Sequence, residues 1–357
     1  MTAQLPMVSV VIPMRNEAPH IATCIESVLK QDYPADRFEV VVVDGESDDS
    51  SMDVLRGYGE RLRILRNPSR IVPTAMNIGI RAARGAIIAR VDAHTLLESD
   101  YLRIGVETLQ RTAADNVGGP MRHVGGGPMG DAIALAMASR FGIGAYFHFA
   151  QDDREVDTVY MGMYPRRVFE RIGLFDEELV RNQDDELNYR LRKAGGTIFI
   201  TTRMRSHYQN RQGLRTLWRQ FFQYGMWKIR VLQKHPRQMS PRQFVPPAFV
   251  LSVLLTAVAA PWLPVARWLL GAALGAYGVA LVAAAGVVAR RHGWRHFGRV
   301  LAAFATMHVG WGSGFLVGAV RFAVLRKSPS WATLVQCNPS AETPENLLHF
   351  PPGRSSS

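Results

Sequence analysis

The sequence predicts an α/β domain built on a parallel sheet, followed by C-terminal transmembrane helices. Three observations predict it. The first 120 residues alternate β-rich runs with helical periodicity. Three long uncharged runs lie between residues 243 and 320. Charge divides the 357-residue chain in a similar way: residues 1–186 hold 28 of its 30 acidic residues, and Leu187–Ala341 holds none against 21 Lys/Arg. A basic, acid-free half points to an anionic partner, either nucleic acid or a membrane surface.

Val8–Ile12 is a continuous β-rich run, as expected of a strand covered on both faces. Ile21, Cys24, Ile25, Val28 and Leu29 then recur at helical spacing. Phe38–Val43 reads as a second strand and Asp48–Gly57 as a helix ended by its glycine. Leu62–Leu65 is a third strand, Thr74–Arg84 a helix closed by Gly85, and Ala86–Val91 a fourth strand. This βαβαβαβ order implies parallel strands with right-handed crossovers. Ligands of such sheets sit beyond the carboxyl ends of the strands. No Gly-x-Gly-x-x-Gly follows the first strand and no P-loop appears, which removes the usual dinucleotide and ATP devices and argues against an oxidoreductase.

Polar and acidic segments stand at those strand ends. They are Pro13-Met-Arg-Asn-Glu17, Asp44-Gly-Glu-Ser-Asp-Asp49 and Asp92-Ala-His94. Singly, each has a plain explanation: Asp44 as a turn cap, Asp48 as a helix cap, Asp92 and His94 as loop residues. At three successive strand ends they aim carboxylates at one rim. Gathered like charges are costly unless a cation or ligand donors join them.

Hydropathy favours a membrane as the anionic partner. Gln243–Ala266 is uncharged but interrupted by four prolines; Trp268–Ala289 is uncharged for 22 residues; Val300–Val320 is uncharged for 21 but contains His308 and four glycines. A bilayer core needs about 20. The second run is a transmembrane helix, the first a span, and the third either a span or a re-entrant segment. Trp262, Trp268 and Trp294 fit interfacial anchors. Met1–Val8 lacks a basic start and a signal core, so the first 240 residues are expected in the cytosol. Two cysteines, Cys24 and Cys337, form no disulfide framework, in keeping with a reducing compartment. The basic linker Arg290–Arg299 should be cytoplasmic by the positive-inside rule, making a hairpin of the first two runs. A third full span would then place Arg326 and Lys327 outside, a conflict that keeps re-entry open.

Taken together these segments resemble family 2 glycosyltransferases. Val8–Glu17 resembles the family's opening motif, and Val41–Asp49 its second, an Asp at a strand end followed by Ser and Asp. Asp92-Ala-His94 occupies the place of the family's metal-binding Asp-x-Asp. Gly173–Glu177 and Asn182-Gln-Asp-Asp-Glu-Leu187 resemble its acceptor-side pattern. The likeness spans roughly residues 7–230 and is nearest to the succinoglycan glucosyltransferase branch.

The resemblance implies a GT-A (Rossmann-like, nucleotide-diphospho-sugar transferase) domain over 1–240, a membrane region over 243–325 and a tail over 326–357. It implies a nucleotide-sugar pocket lined by Pro13, Arg15 and Glu17, with Asp44 accepting from the base, usually uracil, and Asp92 on the ribose and diphosphate. Mn²⁺ or Mg²⁺ would be held by Asp92 and His94, with His207 where some relatives add a ligand; His replaces the family's second Asp, and carboxylate suits Mg²⁺ better. Asp184 would be the catalytic base, just before a helix over Leu187–Lys193, taking the acceptor hydroxyl's proton during an inverting displacement. Asp185 and Glu186 would merely favour that helix's N-terminus.

The segment Arg203–Arg242 holds ten Lys/Arg and no acid, interleaved with Trp218, Phe221, Phe222, Tyr224 and Trp227. It reads either as an amphipathic helix on the membrane surface or as a grip for anionic phosphates. Gln220-Phe-Phe-Gln-Tyr224 lacks the Arg and Trp of the processive Gln-x-x-Arg-Trp pattern, which argues for single-sugar transfer. No zinc or helix-turn-helix pattern accompanies the charge, so no nucleic acid partner is expected. The expected function is transfer of one hexose, glucose from a UDP-sugar, to a polyprenyl-diphosphate-linked saccharide at the cytoplasmic face of the inner membrane, within a polysaccharide-assembly complex. The alternatives are transfer to polyprenyl phosphate itself and an inactive nucleotide-sugar-binding scaffold. The donor pocket, drawn from residues 8–94, is expected to stand without the apolar runs.

Overall fold

The computed structural model describes residues 5–142, 144–209 and 212–325. Arg326, Lys327, Cys337 and the Ser-rich end, expected to be disordered, lie outside the described residues. The chain opens with β1 (Val8–Met14), α1 (Ile21–Leu29), β2 (Phe38–Asp44), α2 (Ser51–Arg56), β3 (Arg63–Arg66), α3 (Val72–Ala82) and β4 (Ile87–Arg90). All pairings within this group are parallel, in the order β3-β2-β1-β4. Every residue of β1 is buried, which explains its unbroken apolar run. Register sets Met14 beside Asp44 and Val11 beside Arg90, so the polar strand ends share one rim.

Next come β5 (Thr95–Leu97), α4 (Tyr101–Thr112), β6 (Asn116–Gly119), β7 (Met121–Val124), α5 (Pro128–Met137), β8 (Arg154–Glu155), β9 (Tyr160–Pro165), α6 (Arg167–Ile172), α7 (Gln183–Lys193), β10 (Ile198–Ile200) and β11 (Ser206–Gln209). The main sheet is therefore mixed, not wholly parallel. Strand β9 enters antiparallel between β4 and β6, and the full order is β3-β2-β1-β4-β9-β6-β10-β8. A second sheet, β5-β11-β7, stands beside it. Helix α7 starts four residues earlier than expected. Asn182, at a left-handed φ of 62°, ends the preceding loop, and Asp184, Asp185 and Glu186 fill the first turn where the helix dipole favours carboxylates. Asp184 is thus within the first turn, not ahead of it.

The acid-free part forms α8 (Leu214–Lys234), α9 (Val245–Ala259), α10 (Pro264–His292) and α11 (Phe297–Gly318), the last continued by a π-helical turn to Val324. Among the described residues three stretches are long and apolar enough to cross a membrane: Pro241–Ala259, Pro264–His292 and Trp294–Val324. Helices α9 and α10 form an antiparallel hairpin, with Phe249 stacked on Tyr277 at 4.2 Å. Its outer part is exposed: Leu255, Val258, Trp262 and Trp268 all face outward, the last 81% exposed.

Helices α8 and α11 correct the expected picture. Helix α8 does not lie on a surface; Trp227 and Lys228 are fully buried, and Phe221, Met226 and Ile229 nearly so. Helix α11 covers it, and the two run parallel at close range. A Cβ on Gly314 would fall 2.0 Å from the Phe222 carbonyl oxygen, and one on Gly318 2.5 Å from that of Met226. The glycines at 310, 314 and 318 form a small-xxx-small seam that lets the backbones approach. Both ends of this helical stretch are anchored to the α/β domain. Val300 and Ala303 pack with Ala132 and Ile133 of α5, and Phe322 packs with Ile71 and Val180.

Candidate active site

The first two strand-end loops are laced together. Asn16, at φ 54°, exchanges hydrogen bonds with Asp48: its Nδ2 donates to Asp48 Oδ1 at 2.6 Å and its Oδ1 accepts from Asp48 N at 2.9 Å. Glu17 N donates to Ser51 Oγ at 2.8 Å and Ala18 N to Asp49 Oδ2 at 3.1 Å. Asp44 is buried, and its carboxylate accepts from the Ser47 hydroxyl at 2.6 Å and from Ser47 N. The loop thus uses Asp44 as its own turn cap, and Gly45 rather than Asp44 lines the cleft that opens beyond the rim.

That cleft has a volume of about 1440 Å³ and gathers Pro13, Arg15, Glu17, Asp92, His94 and Asp184. It brings Pro13, Arg15, Glu17 and Asp92, expected on the donor side, together with Asp184, the expected base, across 92 to 171 positions of the chain. Strand β4 supplies a residue that sequence reasoning passed over. Arg90 is buried and bridges the two sides: its Nε donates to Asp92 Oδ1 at 2.9 Å, and its NH1 lies 3.1 Å from Asp184 Oδ2. Burial pushes the Asp92 carboxyl up, but the Arg90 and His94 charges and hydrogen bonds from Arg90 and Tyr160 outweigh it, so the group sits below its usual range. The signal was there, since an Arg in an otherwise apolar central strand needs a buried partner. Arg90→Met is expected to lower stability by about 2 kcal/mol, less than a wholly buried pair because Asp184 is 39% exposed. The thermal midpoint in detergent, compared with wild type, checks it.

The base candidate is held from behind. Arg181 Nε donates to Gln223 Oε1 at 3.1 Å and Asn182 Nδ2 to the Tyr224 carbonyl at 3.0 Å, tying the loop before Asp184 to α8. Asp185 accepts from Lys228 Nζ at 2.6 Å. Glu186, 1% exposed, pairs with Arg190 at 2.5 Å and with His235 at 2.9 Å. These two carboxylates therefore cross-link α7 internally and to the α8 region, a more specific role than the expected N-terminal charge.

His94 Nδ1 lies 3.1 Å from Glu17 Oε1, and its ring meets the edge of Tyr208 at 5.2 Å. His207 does not join them. Strand alternation gives Tyr208 to the cleft and turns His207 to Glu98, whose Oε1 lies 2.8 Å from its Nε2. Among the described residues no three His, Cys, Asp or Glu side chains stand together as a metal cluster. Asp92 and His94 remain as one carboxylate and one imidazole at the same strand end. That donor pair fits a divalent ion whose other ligands come from a diphosphate.

The profile described as "Glycosyl transferase family 2" matches residues 9–173. The succinoglycan biosynthesis protein ExoA of Rhizobium meliloti (strain 1021) is 32% identical over 326 residues, 86% of this chain and 93% of that protein. The chain belongs to glycosyltransferase family 2. A dolichyl N-acetyl-alpha-D-glucosaminyl phosphate 3-beta-D-2,3-diacetamido-2,3-dideoxy-beta-D-glucuronosyltransferase of Methanococcus voltae is 28% identical over 238 residues, 64% of this chain and 74% of its own. Among solved structures, the mannosyltransferase PcManGT of Pyrobaculum calidifontis, in complex with GDP-Man and Mn²⁺, shares the fold with a TM-score of 0.54 at 23% identity, covering 87% of this chain and 88% of its own. Residues 1–349 of S. aureus TarS align with a TM-score of 0.51 at 17% identity, over 89% and 92% of the two chains.

Proposed function

We propose that this glycosyltransferase moves a single hexose, glucose from UDP-glucose, with inversion onto a polyprenyl-diphosphate-linked saccharide during polysaccharide assembly. The observation that carries the reading is the course of the cleft. It is lined by the polar strand ends and by Asp184, by Ser240 and Gln243 where the apolar hairpin begins, and by Trp311 of α11. Donor chemistry and lipid access thus share one cavity. The similarity to ExoA, a succinoglycan biosynthesis protein, supports the acceptor class.

In this reading Pro13, Arg15 and Glu17 line the nucleotide pocket, with Asp44 supporting the base side through its loop. Asp184 accepts the proton of the attacking hydroxyl, and the tie of its loop to α8 keeps it facing the anomeric carbon. One base opposite the leaving group gives inversion. Arg90 holds Asp92 and Asp184 in register across the reacting centre. Asp92 and His94 would hold Mn²⁺ or Mg²⁺, which supplies Lewis-acid stabilisation of the leaving diphosphate when bound. Chelation is expected to stop transfer and added Mn²⁺ or Mg²⁺ to restore it. Full turnover after exhaustive chelation would remove the metal from the reading.

We also place the protein in the inner membrane with its catalytic domain in the cytoplasm. The α9–α10 hairpin is the membrane-crossing pair: its apolar stretches run 19 and 29 residues, against the ~20 that a bilayer core needs. Trp294–Val324 does not cross, because both its ends are bound to the α/β domain. Labelling of cysteines introduced at Arg242, Pro261 and Arg295 with a membrane-impermeant maleimide on intact cells tests this. Only position 261 should react from outside; reaction at 295 would overturn the arrangement.

A further inference from the structure

We propose that Lys228 of α8 is a positioning residue for the reaction: by holding Asp185 it fixes the rotation of the first turn of α7, and so the direction in which Asp184 presents its carboxylate. The inference rests on the reading of Asp184 as the base. The Lys228 side chain is only 2% exposed. No Asp or Glu occurs between Leu187 and Ala341, so α8 and the helices after it cannot supply the counter-charge that a buried ammonium requires. That charge comes from α7: Lys228 Nζ donates to Asp185 Oδ2 at 2.6 Å. Both residues line the cleft that holds Asp184.

The pair is one of two. Asp184 and Asp185 are consecutive in the first turn of α7, and consecutive helical residues point about 100° apart. Each meets a buried cation from a different element. Asp185 meets Lys228 of α8, whereas Asp184 Oδ2 lies 3.1 Å from Arg90 NH1 of β4. A second tie to α8 comes one helical turn before Lys228, where the Tyr224 carbonyl accepts from Asn182 Nδ2 at 3.0 Å. The Asn182 bond locates the start of α7, and the Asp185 bond sets its rotation about its own axis. With that rotation set, Asp184 is turned toward Arg90 and the donor side of the cleft.

Stability does not account for the lysine. Taking an ammonium out of water is costly, and a buried ion pair is often no more stable than apolar side chains of the same volume. Methionine is close to the lysine stem in length, and Asp185, 40% exposed, can be solvated once its partner is gone. Fold and turnover should therefore separate when Lys228 is replaced by methionine.

The test uses the full chain in detergent, a lipid extract of native membranes as acceptor, and the radiolabelled nucleotide sugar that labels that extract best. Lys228→Met is expected to lower kcat about 10²-fold, the scale of loss when a reacting group is misplaced by about 1 Å. Donor affinity should stay within twofold, and the thermal midpoint should stay at or above that of wild type. The Asp185→Ala/Lys228→Met double variant should fall no further than Lys228→Met alone, because both changes remove one contact. Turnover of Lys228→Met within threefold of wild type would overturn the proposal. A thermal midpoint that falls along with turnover would do the same, by showing that the lysine serves the fold. Losses that multiply in the double variant would also overturn it, because Lys228 would then act on something other than Asp185. Asp184→Asn, assayed beside these variants, separates the two readings. If it stays active, the base assignment fails; if it is dead while Lys228→Met turns over normally, only the role of Lys228 fails.

Discussion

Asp184→Asn is expected to lower transfer by at least about 10³-fold, near the upper part of what a positioned base contributes. Donor binding should stay within a few-fold, because the nucleotide pocket is built from other loops. The side chain is nearly isosteric, and Asp184 is 39% exposed, so little stability is at stake. The contact to Arg90 is weakened, but Asp92 keeps its own bond to that guanidinium. Initial rates with labelled donor and lipid acceptor, beside a donor-binding isotherm, separate the two effects. Turnover within tenfold of wild type would remove Asp184 from the base role.

A chain ending at Arg242 is expected to lose its fold, not merely its membrane anchor. The packing of α11 on α8 argues against the expectation that the donor pocket, drawn from residues 8–94, keeps binding UDP-sugar in a chain ending near Arg242. Removing Trp294–Val324 uncovers Phe221, Met226, Trp227 and Ile229 on α8, and strips Phe322 from Ile71, itself part of the cleft wall. Each large apolar side chain re-exposed costs roughly 1.5–3 kcal/mol. Several together rival the ~5–15 kcal/mol that holds a domain. The truncated chain should aggregate and bind no donor, whereas replacing 251–274 by a short linker should leave UDP binding intact. Gly314→Leu is the single-residue version, forcing α11 off the Phe222 backbone. It is expected to lower stability by about 3 kcal/mol or more. A soluble, donor-binding chain ending at Arg242 would contradict the interlocked arrangement.

The parts legible in the sequence were those governed by local periodicity. The buried run Val8–Ile12, the alternation through Val91 and the polar strand ends are one-dimensional patterns, and the parallel pairing of β1 to β4, though not their order, follows from them. The antiparallel insertion of β9 was not legible, because no local feature of Tyr160–Pro165 names its neighbours β4 and β6. The site was half legible. Asp92, His94 and Asp184 carry motif signals and meet in the cleft. His207 carried a similar signal, but a one-residue alternation on β11 sends it to Glu98 and offers Tyr208 instead. Arg90 was legible only as a cation in an apolar strand; that Asp92 and Asp184 are its partners is set by the fold. The third apolar run was ambiguous because hydropathy does not distinguish lipid from a buried helix. The spacing of Gly310, Gly314 and Gly318 is what marks it as a helix packed closely on another.

The central claim is that this cleft passes a sugar from a nucleotide to a lipid-linked acceptor. The most direct measurement incubates membranes containing the full-length protein with a panel of radiolabelled nucleotide sugars and follows label into the lipid extract. Incorporation is expected from UDP-glucose well above the other donors, abolished by chelation and by Asp184→Asn. Label that stays wholly in the aqueous phase for every donor, from a folded protein supplied with native membrane lipids, would contradict it.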